Sequence, residues 1–214
     1  MGKWNIWRWL GLAGALSALV YAAHVVLGGM LWNGYSHVTQ TISELTADGA
    51  PDAALLRVFT TVYGVLAIVF AAWLIFALRG QRARRTAVVG AVLLLVMEFS
   101  SLVGYALFPL RGGTEMDPAN MGHLVVTGIV VLCTISSVLL VGLGLARTPG
   151  LKALGVFSLV CAALIVVSGG MTPVALANSL PVGGLIERVN IFTLQSWIFV
   201  LSAVLTFRRQ HAAA

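Results

Sequence analysis

Charge is what this sequence has least of. Asp, Glu, Lys and Arg make up 9% of its 214 residues and hydrophobic residues 59%, against about 25% charged and about 45–50% apolar in an average soluble domain. The mean hydropathy is +0.98. Too little polar surface remains to coat a water-soluble globule. The two cysteines, Cys133 and Cys161, are too few and too far apart for a disulfide framework or a thiol metal site. They read as small apolar thiols in mid-span. No H-E-x-x-H and no pair of histidines at i, i+4 is present. A G-x-S-x-G nucleophile elbow is absent too, as is a phosphate-cradling glycine motif, since Gly112-Gly113 and Gly183-Gly184 are loop turns. No inverted repeat of the kind that marks many carriers is visible.

What is present is a series of long apolar runs. Six of them cover residues 7–31, 53–78, 86–108, 123–146, 151–173 and 189–207. Each is close to the roughly 20 residues needed to cross the hydrocarbon of a bilayer. In lipid only helices and closed barrels satisfy their own backbone, so the pattern predicts an all-α polytopic membrane protein. It is a six-helix transmembrane bundle forming one domain over residues 1–214. The first run is too long for a signal-peptide core and ends at no small-residue cleavage site, so it is expected to stay. Gly11, Gly14, Ala18 and Ala22 form a stripe of small residues along it, which suits close helix contact.

Basic residues set the expected orientation. Lys3, Arg8, Arg79, Arg82, Arg84, Arg85, Arg147, Lys152, Arg208 and Arg209 fall on one side, and Arg57, Arg111 and Arg188 on the other. The positive-inside rule then predicts a multi-pass protein of the inner (plasma) membrane with both termini cytoplasmic. Glu44, Asp48, Asp52, Glu115, Asp117 and Glu187 all fall outside, which leaves no acid on the cytoplasmic side. The high isoelectric point thus reflects loop flanks facing anionic headgroups, and no nucleic-acid partner is expected.

The outer half carries the candidate chemistry. Glu98 lies about 15 Å below the outer end of the third span at 1.5 Å per residue. An ionisable group at that depth is costly and is a functional candidate by default; a protonated carboxyl satisfied by a neighbouring hydroxyl or carbonyl is the plainer alternative. Ser101 and Tyr105 continue its face outward. His24, Thr60, Thr61, Tyr63, His123, Thr127, Asn190 and Gln195 add polar groups from other spans, and together they mark an outward-opening polar cavity. His24 and His123 lie on different spans and could serve as two axial haem ligands, but no cofactor or metal is expected. Residues 32–52, WNGYSHVTQTISELTADGAPD, place Val38, Ile42 and Leu45 on one stripe. That predicts a short amphipathic helix, either a simple interfacial cap or a lid with Ser43 and Glu44 turned inward. Asp52 behind Pro51 is placed to start the second span. Arg111 and Arg188 can pair with Glu44, Glu115 or Asp117, and Glu44, Arg111, His123, Glu187 and Arg188 are expected to converge above Glu98 and Gln195.

These stretches resemble a prokaryotic membrane family, domain of unknown function 998. The similarity rests on Y-S-x-x-x-Q-x-x-S-E-L (Tyr35-Ser36 to Ser43-Glu44-Leu45), Phe108-Pro109, His123, and G-L-x-E-R (Gly184-Leu185, Glu187-Arg188). It covers residues 10–207 and implies six helices with these polar residues outside; it implies no activity.

Two functional expectations follow from the residues. One is an outward-facing intramembrane pocket for an amphiphilic or hydrophobic molecule, lipid- or isoprenoid-like. Glu98 would act there as general acid and His24, His123 or Glu44 as base, without a metal. Ser43, Tyr63, Ser101, Tyr105, Arg111, Glu187, Arg188, Asn190 and Gln195 would contact the substrate. The other is a small proton-coupled carrier or a non-enzymatic ligand or lipid sensor, for which Glu98 supplies the protonatable midplane group. The expected partners are thus membrane lipid and a hydrophobic small molecule. The topology has a direct check: in intact cells a cysteine at position 48 labels with an impermeant thiol reagent and one at position 84 does not. The reverse pattern overturns it.

Overall fold

The computed structural model describes residues 6–111 and 117–208. Lys3, Glu115, Arg209 and the Gly112-Gly113 turn lie outside the described residues. The chain forms α1 (Ile6–Trp9), α2 (Leu12–Leu31), α3 (Ala53–Gly80), α4 (Arg85–Leu107), α5 (Pro118–Ala146), α6 (Lys152–Ala177) and α7 (Gly183–Phe207), with one 3-10 turn at Ser43–Thr46. The last six α-helices, counting α1 with α2, are long and apolar enough to span a bilayer. Among the described residues the sole β feature is an isolated bridge between Asp48 and Arg111.

Each long helix packs against its successor in the chain, and α7 closes back onto α2. The result is a ring of six helices in sequence order. Its centre is filled by Phe70, Leu74, Leu94, Val138, Val141, Ile165, Trp197 and Leu201, all almost wholly buried. The lipid-facing exterior keeps its Leu, Val, Phe and Met side chains exposed, as a membrane solvent requires.

Lipid tails are as apolar as leucine, so association must come from close packing and from hydrogen bonds between helices. Both occur here. The α2–α7 seam that closes the ring is fastened by Ser202, whose hydroxyl donates to Gly11 O at 2.6 Å and accepts from Ala15 N at 2.9 Å. At the α6–α7 seam Trp197 Nε1 donates to Ser158 Oγ at 2.9 Å, and Asn190 Nδ2 donates to Ile165 O at 2.7 Å and to Ser168 Oγ at 3.1 Å. Tyr105 and Thr127 join α4 to α5 through their hydroxyls, 3.2 Å apart. The small-residue stripe of the first span does pack: a Cβ on Gly14 would meet the Phe70 ring at 2.6 Å and Ser202 Cβ at 2.9 Å.

Several boundaries shift from those expected. α5 begins at Pro118, ahead of His123, because the Asp117 carboxylate caps it by accepting from Asn120 N at 2.8 Å. α6 runs through Pro173 to Ala177. α7 begins at Gly183, so Glu187 and Arg188 ride on its first turns and not in a loop. Asp52 does not cap α3 through its side chain; its backbone is left-handed at φ 54° and makes no such bond. The helix anticipated within residues 32–52 is a single 3-10 turn.

α4 and α5 approach each other closely at Gly90. A Cβ on Gly90 would lie 2.7 Å from Val141 N and 2.8 Å from Ser137 O, both backbone atoms that cannot swing aside. Gly128, on the same α5, has nothing within 4 Å of the equivalent position. Gly90→Leu is expected to destabilise the purified protein by about 1–3 kcal/mol through overpacking, read as a lower thermal midpoint in detergent. Gly128→Leu should leave the midpoint nearly unchanged.

Candidate functional site

The two ends of the ring differ in sign. Arg8, Arg79, Arg82, Arg84, Arg85, Arg147, Lys152 and Arg208 mark a basic end with no acid among its described residues. Glu44, Asp48, Asp52, Asp117 and Glu187 mark the acidic end, together with Arg57, Arg111 and Arg188.

The segment joining α2 to α3 closes the acidic end as a plug. Ile42 and Leu45 are 2% and 0% exposed and pack on Val25 and Leu56, with Tyr21, Trp32, Tyr35, Ile191 and Phe192 around them. Val38, the third member of the anticipated stripe, is 43% exposed. Both oxygens of Glu44 are used locally: Oε1 accepts from Thr41 N and Thr41 Oγ1, each at 2.9 Å, and Oε2 from Gln40 Nε2 at 3.2 Å. A carboxylate reaching back three residues to a backbone N–H is the reciprocal half of a capping box. Glu44 therefore shapes the plug and does not reach Glu98. Ser43 is half-buried, with its hydroxyl 3.1 Å from that of Thr41.

The first turns of α7 hold the plug down. Glu187 Oε2 accepts from Ile42 N at 2.6 Å, and Leu185 N donates to Val38 O at 2.9 Å. Arg188 is only 8% exposed. Its Nη1 donates to Gln40 O at 2.7 Å and Gly184 O at 2.9 Å, and its Nη2 to the Tyr35 hydroxyl at 2.5 Å. Tyr35 in turn donates to Thr41 O at 2.6 Å, while the guanidinium carbon sits 5.5 Å from the centre of its ring. Burial raises the Tyr35 pKa above the ordinary tyrosine value and the Arg188 charge opposes this.

A second group forms beside the first. Arg57 Nη2 pairs with Asp48 at 2.6 Å and donates to Thr46 O at 2.9 Å. Asp48 N donates to Leu110 O at 2.9 Å, tying the plug to the α4–α5 connection. Arg111 pairs with Asp117 at 3.0 Å. The Asp117 pKa falls below the usual carboxylate value, first through the Asn120 N–H and then through Arg111. His123 Nδ1 lies 3.0 Å from Phe108 O, with its ring 4.8 Å from that of Tyr105. The anticipated convergence thus divides in two: Glu44, Glu187 and Arg188 meet on the plug, whereas Arg111 and His123 fasten the neighbouring turn. Asn190 serves the α6–α7 seam, and Ser101 is half-buried on α4.

Beneath the plug lies the third group. Glu98 is 1% exposed, nine residues before the end of α4 and so about 14 Å below it. Tyr63 of α3 donates one hydroxyl to both carboxyl oxygens, at 3.1 and 3.2 Å. Gln195 Nε2 of α7 donates to that same hydroxyl at 3.2 Å. The Tyr63 ring meets Tyr21 of α2 edge-on at 4.9 Å, and Tyr21 meets His24 at 5.5 Å. Tyr21 also packs on the cluster of Val25, Ile42, Leu45 and Leu56, which links the plug to the tyrosines above Glu98. Both ring nitrogens of His24, which is 1% exposed, and Gln195 Oε1 are buried with no hydrogen-bond partner. Among the described residues Glu98 has no ion-pair partner, and no three His, Cys, Asp or Glu side chains gather as a metal centre. The His24 ring meets Tyr21 and the His123 ring meets Tyr105.

Two clefts open elsewhere. One of about 410 Å³ runs beside the plug, lined by Trp32, Glu44, Asp48 and Arg111. The other, of about 340 Å³, is an apolar groove on the α5–α6 surface. Neither is lined by Glu98, whose surroundings are closed. Tyr21 is the residue that inspection of the sequence missed; its place three residues before His24, one helical turn away, was the available signal.

A ring of six apolar helices with one plugged end and a buried carboxyl at mid-depth defines a multi-pass membrane protein. The family described as Protein of unknown function (DUF998) matches residues 8–204, and the chain belongs to it. No curated protein and no solved structure matches the chain.

The plug's attachment can be tested directly. Removing the Arg188 guanidinium leaves the Tyr35 hydroxyl and the Gln40 carbonyl without a buried donor, at about 1–3 kcal/mol. In Arg188→Ala, amide hydrogen exchange across residues 36–46 should rise by roughly ten- to a hundredfold while that of α5 stays unchanged. Exchange across residues 36–46 no faster than in the unchanged protein would show that Arg188 does not hold the plug.

Proposed function

We propose that this protein sits in the plasma membrane with both termini in the cytoplasm and the acidic end outside. In this reading it holds an amphiphilic or hydrophobic molecule, of lipid or isoprenoid kind, in an intramembrane site at Glu98. The plug over residues 32–52 is the lid of that site. The observation that carries the proposal is Glu98 itself. A carboxylate at the centre of a helix costs about 2.5–3.5 kcal/mol on insertion scales, and here it receives one hydroxyl hydrogen and no cation. Pure packing is served better by leucine. The orphaned Gln195 oxygen near it and the two orphaned His24 nitrogens further along the stack support the same reading, because buried polar atoms are normally paired; Ser137, Arg188 and Thr206 each leave one such atom elsewhere.

As an enzyme, Glu98 is the proton donor and neutral His24, two aromatic rings away through Tyr63 and Tyr21, the acceptor. Glu44 and His123 are committed elsewhere, so neither takes that role. The closed surroundings of Glu98 also suit a proton-coupled carrier, in which a protonatable group is sealed from both faces between exposures.

Mass spectrometry of material extracted with the purified protein distinguishes these possibilities from a passive bundle. The expected result is one lipid-like species enriched over bulk membrane lipid, and reduced at least tenfold in Glu98→Gln. Identical bulk lipid in both proteins overturns the proposal. A pH-gradient-driven uptake into proteoliposomes that Glu98→Gln abolishes selects the carrier; turnover of the enriched species that Glu98→Gln abolishes selects the enzyme.

A further inference from the structure

The hydrogen-bonding capacity left over around Glu98 is lopsided, and its sign identifies the ligand's polar end. One Tyr63 hydrogen serves both carboxyl oxygens, although an ionised carboxylate has about four acceptor sites. Gln195 Oε1 accepts nothing. A neutral imidazole adds one donor and one acceptor, and both nitrogens of His24 are unused. The balance is an excess of acceptors over two free N–H groups, one on the imidazole and the second Nε2 hydrogen of Gln195. They stand next to the faces and edges of two tyrosines, Tyr21 and Tyr63.

No protein cation fills this need. Arg188, the buried guanidinium of the acidic end, turns Nη1 and Nη2 to Gln40 O, Gly184 O and the Tyr35 hydroxyl, and its Nε, buried without a partner, bonds no atom of this group. An anionic head would meet a carboxyl and more acceptors than donors, with two N–H groups to bind it. An alcohol would supply one donor. A primary ammonium supplies three donors, no acceptor and a positive charge, and aromatic rings favour a cation close to them.

A second observation points the same way. The end of the ring nearer to Glu98 is the one that carries Glu44, Asp48, Asp52, Asp117 and Glu187, five acids against Arg57, Arg111 and Arg188. Acidic surfaces raise the local concentration of cations and exclude anions.

We infer that the molecule bound beneath the plug is a cationic amphiphile whose primary ammonium head pairs with Glu98 and donates to Gln195 Oε1. This inference rests on the intramembrane site proposed above and names the chemistry of its ligand. Binding requires Tyr63 to turn from Glu98 so that the head enters beside Gln195, and the alkyl tail stays in the hydrocarbon.

The test is equilibrium binding to the full-length protein in lipid nanodiscs, corrected against empty nanodiscs, with dodecylamine, dodecanol and dodecanoate as probes. Dodecylamine is expected to bind saturably and at least tenfold more tightly than the other two. Glu98→Gln should weaken dodecylamine at least tenfold and leave dodecanol unchanged. Gln195→Leu should weaken dodecylamine several-fold, which keeps the test open should Glu98→Gln fail to fold. Dodecanol or dodecanoate binding as tightly as the amine overturns the ammonium assignment and leaves the amphiphile site standing. So does an amine preference that neither variant changes. Saturable binding of none of the three overturns the site as well.

Discussion

The absence of water from hydrocarbon is the constraint on which the rest of this structure depends. Every polar group at membrane depth has to find its partner inside the protein. Helices settle the backbone, and the ring settles most side chains. Ser202, Trp197, Asn190 and Tyr105 each bridge a seam between neighbouring helices. Glycines at the α4–α5 crossing let the backbones approach closely enough for dispersion to replace the missing hydrophobic drive. Measured against that thrift, Glu98, His24 and Gln195 stand out from the single unpaired atoms at Ser137, Arg188 and Thr206. They gather in one place, on α4, α2 and α7, and between them leave both imidazole nitrogens and one amide oxygen unpaired.

The plug explains why these groups are sealed from the acidic end. It combines two apolar side chains, which fill the mouth of the ring, with a set of hydrogen bonds from one turn of α7. Glu187 holds the backbone of Ile42 and Arg188 holds that of Gln40, so adjacent residues of opposite charge grip a donor and an acceptor two positions apart. Glu44 completes the grip from within by shaping the turn. The contacts are mostly polar and lie at the end of the bundle, where water can replace them. Such an element opens at lower cost than the ring itself.

The fold was legible at the level of spans and little beyond. Hydropathy located all six helices because the number of apolar residues needed to cross a bilayer is a property of the chain alone. Helix ends were less readable. α7 extends six residues before Val189 because Gly183 to Ile186 wind under the plug, a contact with residues 38–42 that no local signal announces. Glu98 was conspicuous for its depth in an apolar run, and Tyr63 and Gln195 for theirs. Their meeting was not, since α3, α4 and α7 come together only when the ring closes. Depth along a helix follows from counting residues; azimuth depends on which neighbours the helix acquires.

The same distinction separates Glu44 from Glu98. Both are carboxylates among candidate partners, and the sequence gives no reason to assign one to a turn and the other to a buried stack. By itself the sequence determined the solvent, the number of crossings, the separation of basic from acidic ends and the presence of one carboxyl at depth. Each of these follows from composition and spacing, which the chain carries before it folds. Tertiary structure alone decided that Arg188 faces the backbone of the plug in place of an acid, that His24 is left without a partner, and that Tyr63 stands between Glu98 and Gln195. Those outcomes depend on side chains far apart in the chain reaching one another at 3 Å or failing to. Only the closed arrangement of all six helices sets those distances.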